Sequence, residues 1–255
     1  MEWNAVGFYT LFKKEVLRFW KVGVQTVFSP MITTLLYFLI FSYVLQDRVQ
    51  VYADVSYVQF LVPGLMMMAM IQNAFANSSS SIIQSKVTGN LVFILLPPLS
   101  NLELYLAFVL AAALRGVLVG ISVFVVAYFF VEVPVHNLGA ILGFGVLASA
   151  VMGAFGVVAG VWAEKFDQIA AFTNFFVVPL SFLSGVFYSV QELPGFWRTV
   201  SHLNPFFYMI DGFRAGFLGH SDVPMALSFA VISGFLVVLS AAVLLILNRG
   251  HRLRG

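Results

Sequence analysis

Residues 183–219 read LSGVFYSVQELPGFWRTVSHLNPFFYMIDGFRAGFLG and lie between two long apolar runs. Pro194, Pro205 and Asp211 interrupt this stretch too often for a single membrane-crossing helix, which needs about 20 mostly apolar residues. Its aromatic side chains would nevertheless be costly to leave in water. We therefore predict short re-entrant or interfacial helices over residues 190–220, on the outer side of a membrane.

The second half of this stretch carries the signals of a capped helix. Asn204 can cap the helix, Pro205 fits its first turn, where no backbone donor is lost, and Gly219 is a suitable stop. Three further residues are spaced three apart and share one face of this helix: Tyr208, Asp211 and Arg214. We expect the acid and the base to pair with each other, and we favour that structural pairing over a contact with substrate.

The stretch resembles the signature of ABC-2 type transporter permeases. That signature combines an LSGVF run, a Leu-Pro, a helix of the form Asn-Pro-x-x-Tyr-x-x-Asp-x-x-Arg and a Leu-Gly, and all four occur here in order. Two earlier segments, VQTVFSPMITTLLYFLIF and FLVPGLMMMAMIQNAFANSSSS, resemble a subgroup of bacterial inner-membrane export permeases.

The resemblance implies the membrane-spanning subunit of an ATP-driven ABC exporter in the bacterial inner membrane. Such a subunit works with a second copy of itself and with two copies of a separate ABC ATPase subunit, which binds the ATP and Mg. The resemblance therefore implies no cofactor in this chain and no nucleic-acid partner. It leaves the transported substrate open among glycans, lipids, drugs and other compounds.

Composition alone assigns the chain to the membrane proteins. Its residues are 61% hydrophobic and only 9% charged, whereas soluble domains are about 25% charged. The sequence contains no cysteine, so disulfides and thiolate metal sites are excluded. These values predict an all-α membrane protein with several spans.

The hydropathy pattern predicts one transmembrane domain over residues 1–255. It begins with an amphipathic interfacial helix over residues 4–21, whose Lys14, Arg18 and Lys21 face anionic lipid headgroups. Six spans follow, over residues 24–46, 57–76, 104–130, 138–163, 169–187 and 224–248. An even number of spans places both termini on one side of the membrane.

The distribution of positive charge predicts which side that is. One side carries Lys13, Lys14, Arg18, Lys21, Lys86, Lys165, Arg249, Arg252 and Arg254, and the other carries only Arg48, Arg198 and Arg214. Short cytoplasmic loops are enriched in Lys and Arg. We therefore expect both termini in the cytoplasm.

The connection over residues 77–101 breaks the apolar pattern, and we place it at the cytoplasmic interface. The family resemblance implies that this connection carries the helix that docks on the ATPase, with contacts from Gln84, Lys86, Gly89 and Asn90. Val92 and Phe93 stand where the family pattern has an acidic pair.

Arg115 is the one charge predicted inside a span. A buried arginine is costly, so it should face protein, a wet cavity or the nearby interface. Glu103, Glu164 and Asp167 are candidate partners on the same side. We favour a structural ion pair over substrate binding.

Several other functions are less consistent with the sequence. The chain has no glycine-rich phosphate loop, its histidines lack metal-ligand spacing, and no histidine lies within a span to activate a serine as in an intramembrane protease. We therefore predict that the chain is not an enzyme. The alternatives are an ATP-independent secondary transporter or channel, which usually has several ionisable residues within its spans, and a purely structural scaffold.

Overall fold

The structure, a computed structural model, describes residues 3–45 and 55–249, and every regular element in those two ranges is a helix. Five of the helices are long and apolar enough to cross a membrane. They are α2 (Gly23–Leu45), α3 (Tyr57–Val87), α5 (Asn101–Tyr128), α6 (Leu138–Trp162) and α11 (Met225–Arg249). The predicted all-α membrane fold is confirmed.

The remaining helices are shorter. They are α1 (Ala5–Lys21), α4 (Leu91–Leu95), α7 (Phe166–Phe172), a π-helical turn (Thr173–Val177), α8 (Val178–Phe182), a 3₁₀ turn (Val190–Glu192), α9 (Gly195–Leu203) and α10 (Pro205–Leu218). The central helix is α3, which packs against α2, α5, α6 and α10.

The predicted span over residues 169–187 is not one regular helix. Residues 166–182 form α7, the π-helical turn and α8, about 25 Å long at 1.5 Å per residue. The backbone before them is held at the end of α3, where Lys86 Nζ donates to the carbonyl of Ala163 at 2.9 Å. The backbone after them is held at the start of α3, where the Tyr57 hydroxyl donates to the carbonyl of Phe187 at 2.9 Å. This broken segment therefore makes the fifth crossing in chain order, and α11 makes the sixth.

Six crossings bring the two ends of the described chain together. The backbone N–H of Asn4 donates to the Glu103 carboxylate, and Asn101 Nδ2 donates to Asn248 Oδ1 at 2.5 Å. Both contacts lie at the start of α5. We call this end of the bundle the terminal end, and the end with α9 and the C-terminus of α10 the hairpin end.

The sequence pattern predicted that the second span ends at residue 76, where a polar run begins. In the structure, α3 continues through this run. The helix continues to Val87 with Ser78 and Ser79 fully buried. Ser79 Oγ donates to the carbonyl of Phe75 at 2.8 Å, so its hydroxyl is satisfied within the helix. These small side chains also allow α6 to approach closely, since a Cβ at Gly156 would lie 2.5 Å from the Phe75 carbonyl oxygen. The connection between the second and third crossings therefore starts eleven residues later than predicted.

Helix α10 is re-entrant rather than interfacial. Asn204 caps it by accepting from the backbone N–H of Phe206 at 3.0 Å, and Gly219 ends it with a φ of 74°. Its Gly212 and Gly216 pack against Phe144 and Ile141 of α6, so the two helices run antiparallel. At 14 residues, α10 is about 21 Å long, which is shorter than the hydrocarbon core of about 30 Å.

Candidate functional site

A groove opens at the terminal end between α1, the last turns of α3 and α4. Its volume is about 620 Å³. The lining combines polar and apolar side chains, among them Thr10, Lys14, Gln84, Thr88, Asn90 and Phe93. The α3 and α4 members of this set are exposed, so the groove is a surface that another protein can reach.

A buried polar network forms the floor of the groove. Glu15 of α1 is fully buried. Its carboxylate accepts from Lys14 Nζ at 2.6 Å, from Arg18 Nε at 3.3 Å and from Ser81 Oγ of α3 at 2.8 Å. The Ser81 hydrogen bond joins α1 to α3, and the Lys14 and Arg18 contacts are charge-assisted pairs within α1.

Arg18 extends this network along α3. Its Nη2 donates to the carbonyl and side-chain oxygens of Asn77 at 2.5 and 3.0 Å, and its Nη1 donates to Ser80 Oγ at 3.2 Å. The prediction that Arg18 faces lipid headgroups is therefore wrong. The reason is that α3 continues past residue 76 and offers polar partners to the face of α1 that the sequence pattern assigned to the membrane surface.

The four residues predicted to contact an ATPase take two different positions. Gln84 and Asn90 line the groove, and Gly89 is exposed beside it with a φ of 73°. Lys86 points away and donates to the carbonyls of Val161 and Ala163 at 2.5 and 2.9 Å. It therefore holds the end of α6 against α3.

Val92 and Phe93, which replace the acidic pair of the family pattern, lie on α4. They are 58% and 70% exposed. The short helix α4 thus offers an apolar surface beside the groove, where the family pattern has negative charge.

At the hairpin end, Arg214 of α10 is buried against α3 and the backbone that follows α8. Its Nη2 donates to the Gly185 carbonyl at 2.6 Å, and its guanidinium carbon lies 3.8 Å from the centroid of the Phe60 ring. A Cβ at Gly64 would lie 2.7 Å from the Val186 carbonyl oxygen and 3.0 Å from Arg214. Only glycine at position 64 leaves space for this arrangement.

The hydrogen-bond partners of Asp211 lie in the turn between α10 and α11. Its carboxylate accepts from Ser221 Oγ and from the backbone N–H of Asp222, both at 2.7 Å. The hydrogen bonds of Asp211 and of Arg214 go to neighbouring segments, because the whole face of α10 is buried, and the two opposite charges still attract each other.

The remaining residues of the hairpin signature support the same packing. Asn204 Nδ2 donates to the Leu180 carbonyl at 2.7 Å, and the Tyr208 hydroxyl donates to the His202 carbonyl at 2.9 Å. Pro205 occupies the first turn of α10. The signature is therefore a set of contacts that hold α10 against its neighbours.

Among the residues that the structure describes, Arg115 forms no ion pair with any of the three acids predicted as its partners. Arg115 Nη2 donates to the neutral Asn73 Oδ1 at 3.1 Å. Glu103 is occupied as the capping partner of Ser100 at the start of α5, and Glu164 and Asp167 are exposed in the turn between α6 and α7. The three acids lie at the end of the bundle, whereas Arg115 is in the middle of its helix.

Comparison of the sequence with known proteins identifies the family to which the chain belongs. The ABC-2 type transporter family matches residues 6–218, from α1 through α10. The chain belongs to the ABC-2 type transporter family. It is 39% identical over 250 residues, 98% of both chains, to the inner membrane transport permease YadH of Escherichia coli strain K12. Proteins of the same name in Escherichia coli O157:H7 and Shigella flexneri match at the same level.

This ABC-2 protein is a multi-pass inner-membrane transport permease. The family match covers both the groove and the hairpin. Within the described residues, no group of three His, Asp or Glu side chains is placed to hold a metal ion.

Sequence reasoning missed the acidic centre of the groove floor. Glu15 is the only acid among the basic residues of α1, with Lys14 before it and Arg18 one turn after it. That spacing favours local pairing on a helix. It gave no indication that the carboxylate is buried against Ser81, which is distant in sequence.

Proposed function

We propose that this permease forms the transport path of an ATP-driven exporter and that a separate ABC ATPase docks in the groove at the terminal end. The groove floor supports this proposal most strongly. A partner that presses on α1 or α4 acts on a surface joined to the central helix through Glu15 and Arg18. Motion at the groove is thereby transmitted into the bundle.

The charge distribution supports a cytoplasmic position for this groove. The terminal end carries Lys13, Lys14, Lys21, Lys86, Lys165 and Arg249, whereas Arg198 is the exposed cation at the hairpin end within the described residues. Arg48, Arg252 and Arg254 lie outside the described residues. By the positive-inside rule, the terminal end faces the cytoplasm, where ATP is available.

The proposed mechanism couples ATPase closure to movement of the crossings. The ATPase pushes α1 and α4, and the Glu15 network passes the displacement to α3. At its other end α3 holds α10 through Phe60 and Arg214. A second copy of the chain completes the path, and the two copies rock between inward-open and outward-open arrangements.

Cross-linking tests where the ATPase docks. The chain has no native cysteine, so Asn90→Cys introduces a single reactive thiol beside the groove, and Thr199→Cys places one on the exposed surface of α9 as a matched control. Each variant is co-expressed with a candidate ABC ATPase subunit, and the isolated membranes are then labelled with a maleimide photo-cross-linker and irradiated. We expect a cross-linked ATPase with Asn90→Cys and none with Thr199→Cys.

The same experiment distinguishes the alternative functions. Cross-linking through Thr199→Cys alone, or through neither position in membranes that retain transport, contradicts docking at the groove. Transport by the purified chain without any ATPase would instead support a secondary transporter or channel.

A further inference from the structure

Arg115 lies deep in the membrane part of the bundle. It is about 21 Å from the start of α5 at 1.5 Å per residue. A charged side chain at this depth is costly unless it meets an opposite charge, polar protein groups or water. The groups around Arg115 therefore indicate what compensates its charge.

Within the described residues, the Arg115 guanidinium has no anionic partner. Its hydrogen bond goes to the neutral Asn73 amide at 3.1 Å, and its Nε is buried without an acceptor. The buried acid of α1, Glu15, already accepts from Lys14 and Arg18. The fold thus leaves a positive charge uncompensated.

The adjacent face of α3 is polar where it is uncovered. Between Phe60 and Ile83, all positions are buried except Gln72, Asn73, Ala76 and Ser80. Gln72, Ala76 and Ser80 are four residues apart and so lie along one face of the helix, which Asn73 adjoins. Three of these four residues are polar, whereas a surface that faces hydrocarbon is apolar. Asn73 and Ser80 bond to Arg115, to Arg18 and to the α3 backbone, so the stripe provides a polar rather than a hydrocarbon environment beside the two arginines.

A second unsatisfied donor lies beside the stripe. Asn77 is fully buried, and its Nδ2 has no acceptor, while its Oδ1 accepts from Arg18 at 3.0 Å. Asn73 and Asn77 are one helical turn apart, and each binds one of the two arginines. Two cations and two buried unpaired donors thus converge on one segment of α3.

We infer that Arg115, together with Asn77 and the polar stripe of α3, binds a phosphate group within the membrane. The planar guanidinium suits such a group because it can donate two parallel hydrogen bonds. The anion supplies the charge that the fold lacks. It comes either from a lipid headgroup or from a soluble anion.

Thermal unfolding of the purified chain in neutral detergent tests this site. The probes are a short-chain phosphatidylglycerol, the zwitterionic short-chain phosphatidylcholine and inorganic phosphate. Arg115→Gln removes the cation but keeps a donor for Asn73. Lys21→Gln removes an exposed cation from α1 and serves as the matched control.

We expect phosphatidylglycerol or phosphate to raise the unfolding midpoint of the parent and of Lys21→Gln by about 3–6 °C at tenfold excess over its dissociation constant. Arg115→Gln should lose this rise. A rise with phosphatidylglycerol alone identifies a lipid headgroup, and a rise with phosphate identifies a soluble anion.

Equal midpoints with and without both anionic probes overturn the inference. An undiminished rise in Arg115→Gln, or an equal rise with phosphatidylcholine, also overturns it. The measurement uses the chain without an ATPase, so its outcome is independent of docking at the groove.

Discussion

The groove at the terminal end and α10 at the hairpin end are both joined to α3, but by different kinds of contact. The groove floor consists of charged and hydroxyl side chains, and Lys14 remains 44% exposed while it pairs with Glu15. Helix α10 is held by glycine contacts and by an arginine that is 1% exposed. Polar contacts that reach solvent can be exchanged during a cycle, whereas tight steric packing favours discrete arrangements. We therefore expect the helices around the groove to move during transport and α10 to stay rigidly packed against α3 and α6.

Arg214→Ala should break the hairpin end most strongly. The change removes the hydrogen bond to Gly185 and the contact with Phe60, and it leaves a buried cavity. We expect the free energy of unfolding to fall by about 3–5 kcal/mol. The unfolding midpoint of the purified chain measures this loss.

Arg198→Ala is the matched control because Arg198 is an exposed arginine on α9. Its effect should stay within about 0.5 kcal/mol. Equal losses in the two variants would show that α10 is not held through Arg214.

Glu15→Gln should act on function more than on stability. The change removes the negative charge that Lys14 and Arg18 share, at a cost of about 1–3 kcal/mol, because both partners retain access to solvent. We expect the ATPase to remain bound while transport falls at least about tenfold, equivalent to about 1.4 kcal/mol. Co-purification measures binding, and ATP-dependent transport in membrane vesicles measures coupling.

Glu164→Gln removes an exposed acid from the same end of the bundle and should leave both measurements unchanged. Normal transport by Glu15→Gln would contradict the role of the network in transmitting movement.

Gly212→Ala tests the close packing of α10 against α6 without changing any charge. A Cβ at this position would lie 2.2 Å from the Phe144 ring, and such overpacking costs about 1–3 kcal/mol. Gly143→Ala on α6 has no atom within 4 Å of its added Cβ and should stabilise its helix by up to about 1 kcal/mol. If both variants shift the unfolding midpoint in the same direction, α10 is not packed as described.

The sequence predicted the helical elements well but not which polar residues are buried. The cap at Asn204, the proline at the first turn and the stop at Gly219 are local signals, and all three are present in α10. Local signals alone do not show what covers a helix. Asp211 and Arg214 attract each other as predicted from their spacing, but their hydrogen bonds go to other segments, which the spacing did not predict.

The polar run after residue 76 shows the same limit. Serine and asparagine favour turns when their side chains compete with the backbone, so the sequence predicts the end of a span at this run. In the fold these side chains bond within α3 or to Arg18 of α1. Their burial depends on a helix more than fifty residues away, which no window along the sequence contains.

The orientation of the bundle is the most direct test of the account, because ATPase docking requires the groove in the cytoplasm. Asn90→Cys and Thr199→Cys can be treated with a membrane-impermeant maleimide in intact spheroplasts and again after permeabilisation. We predict that Thr199→Cys is labelled in both conditions and Asn90→Cys only after permeabilisation. Labelling of Asn90→Cys in intact spheroplasts, with Thr199→Cys protected, would contradict it.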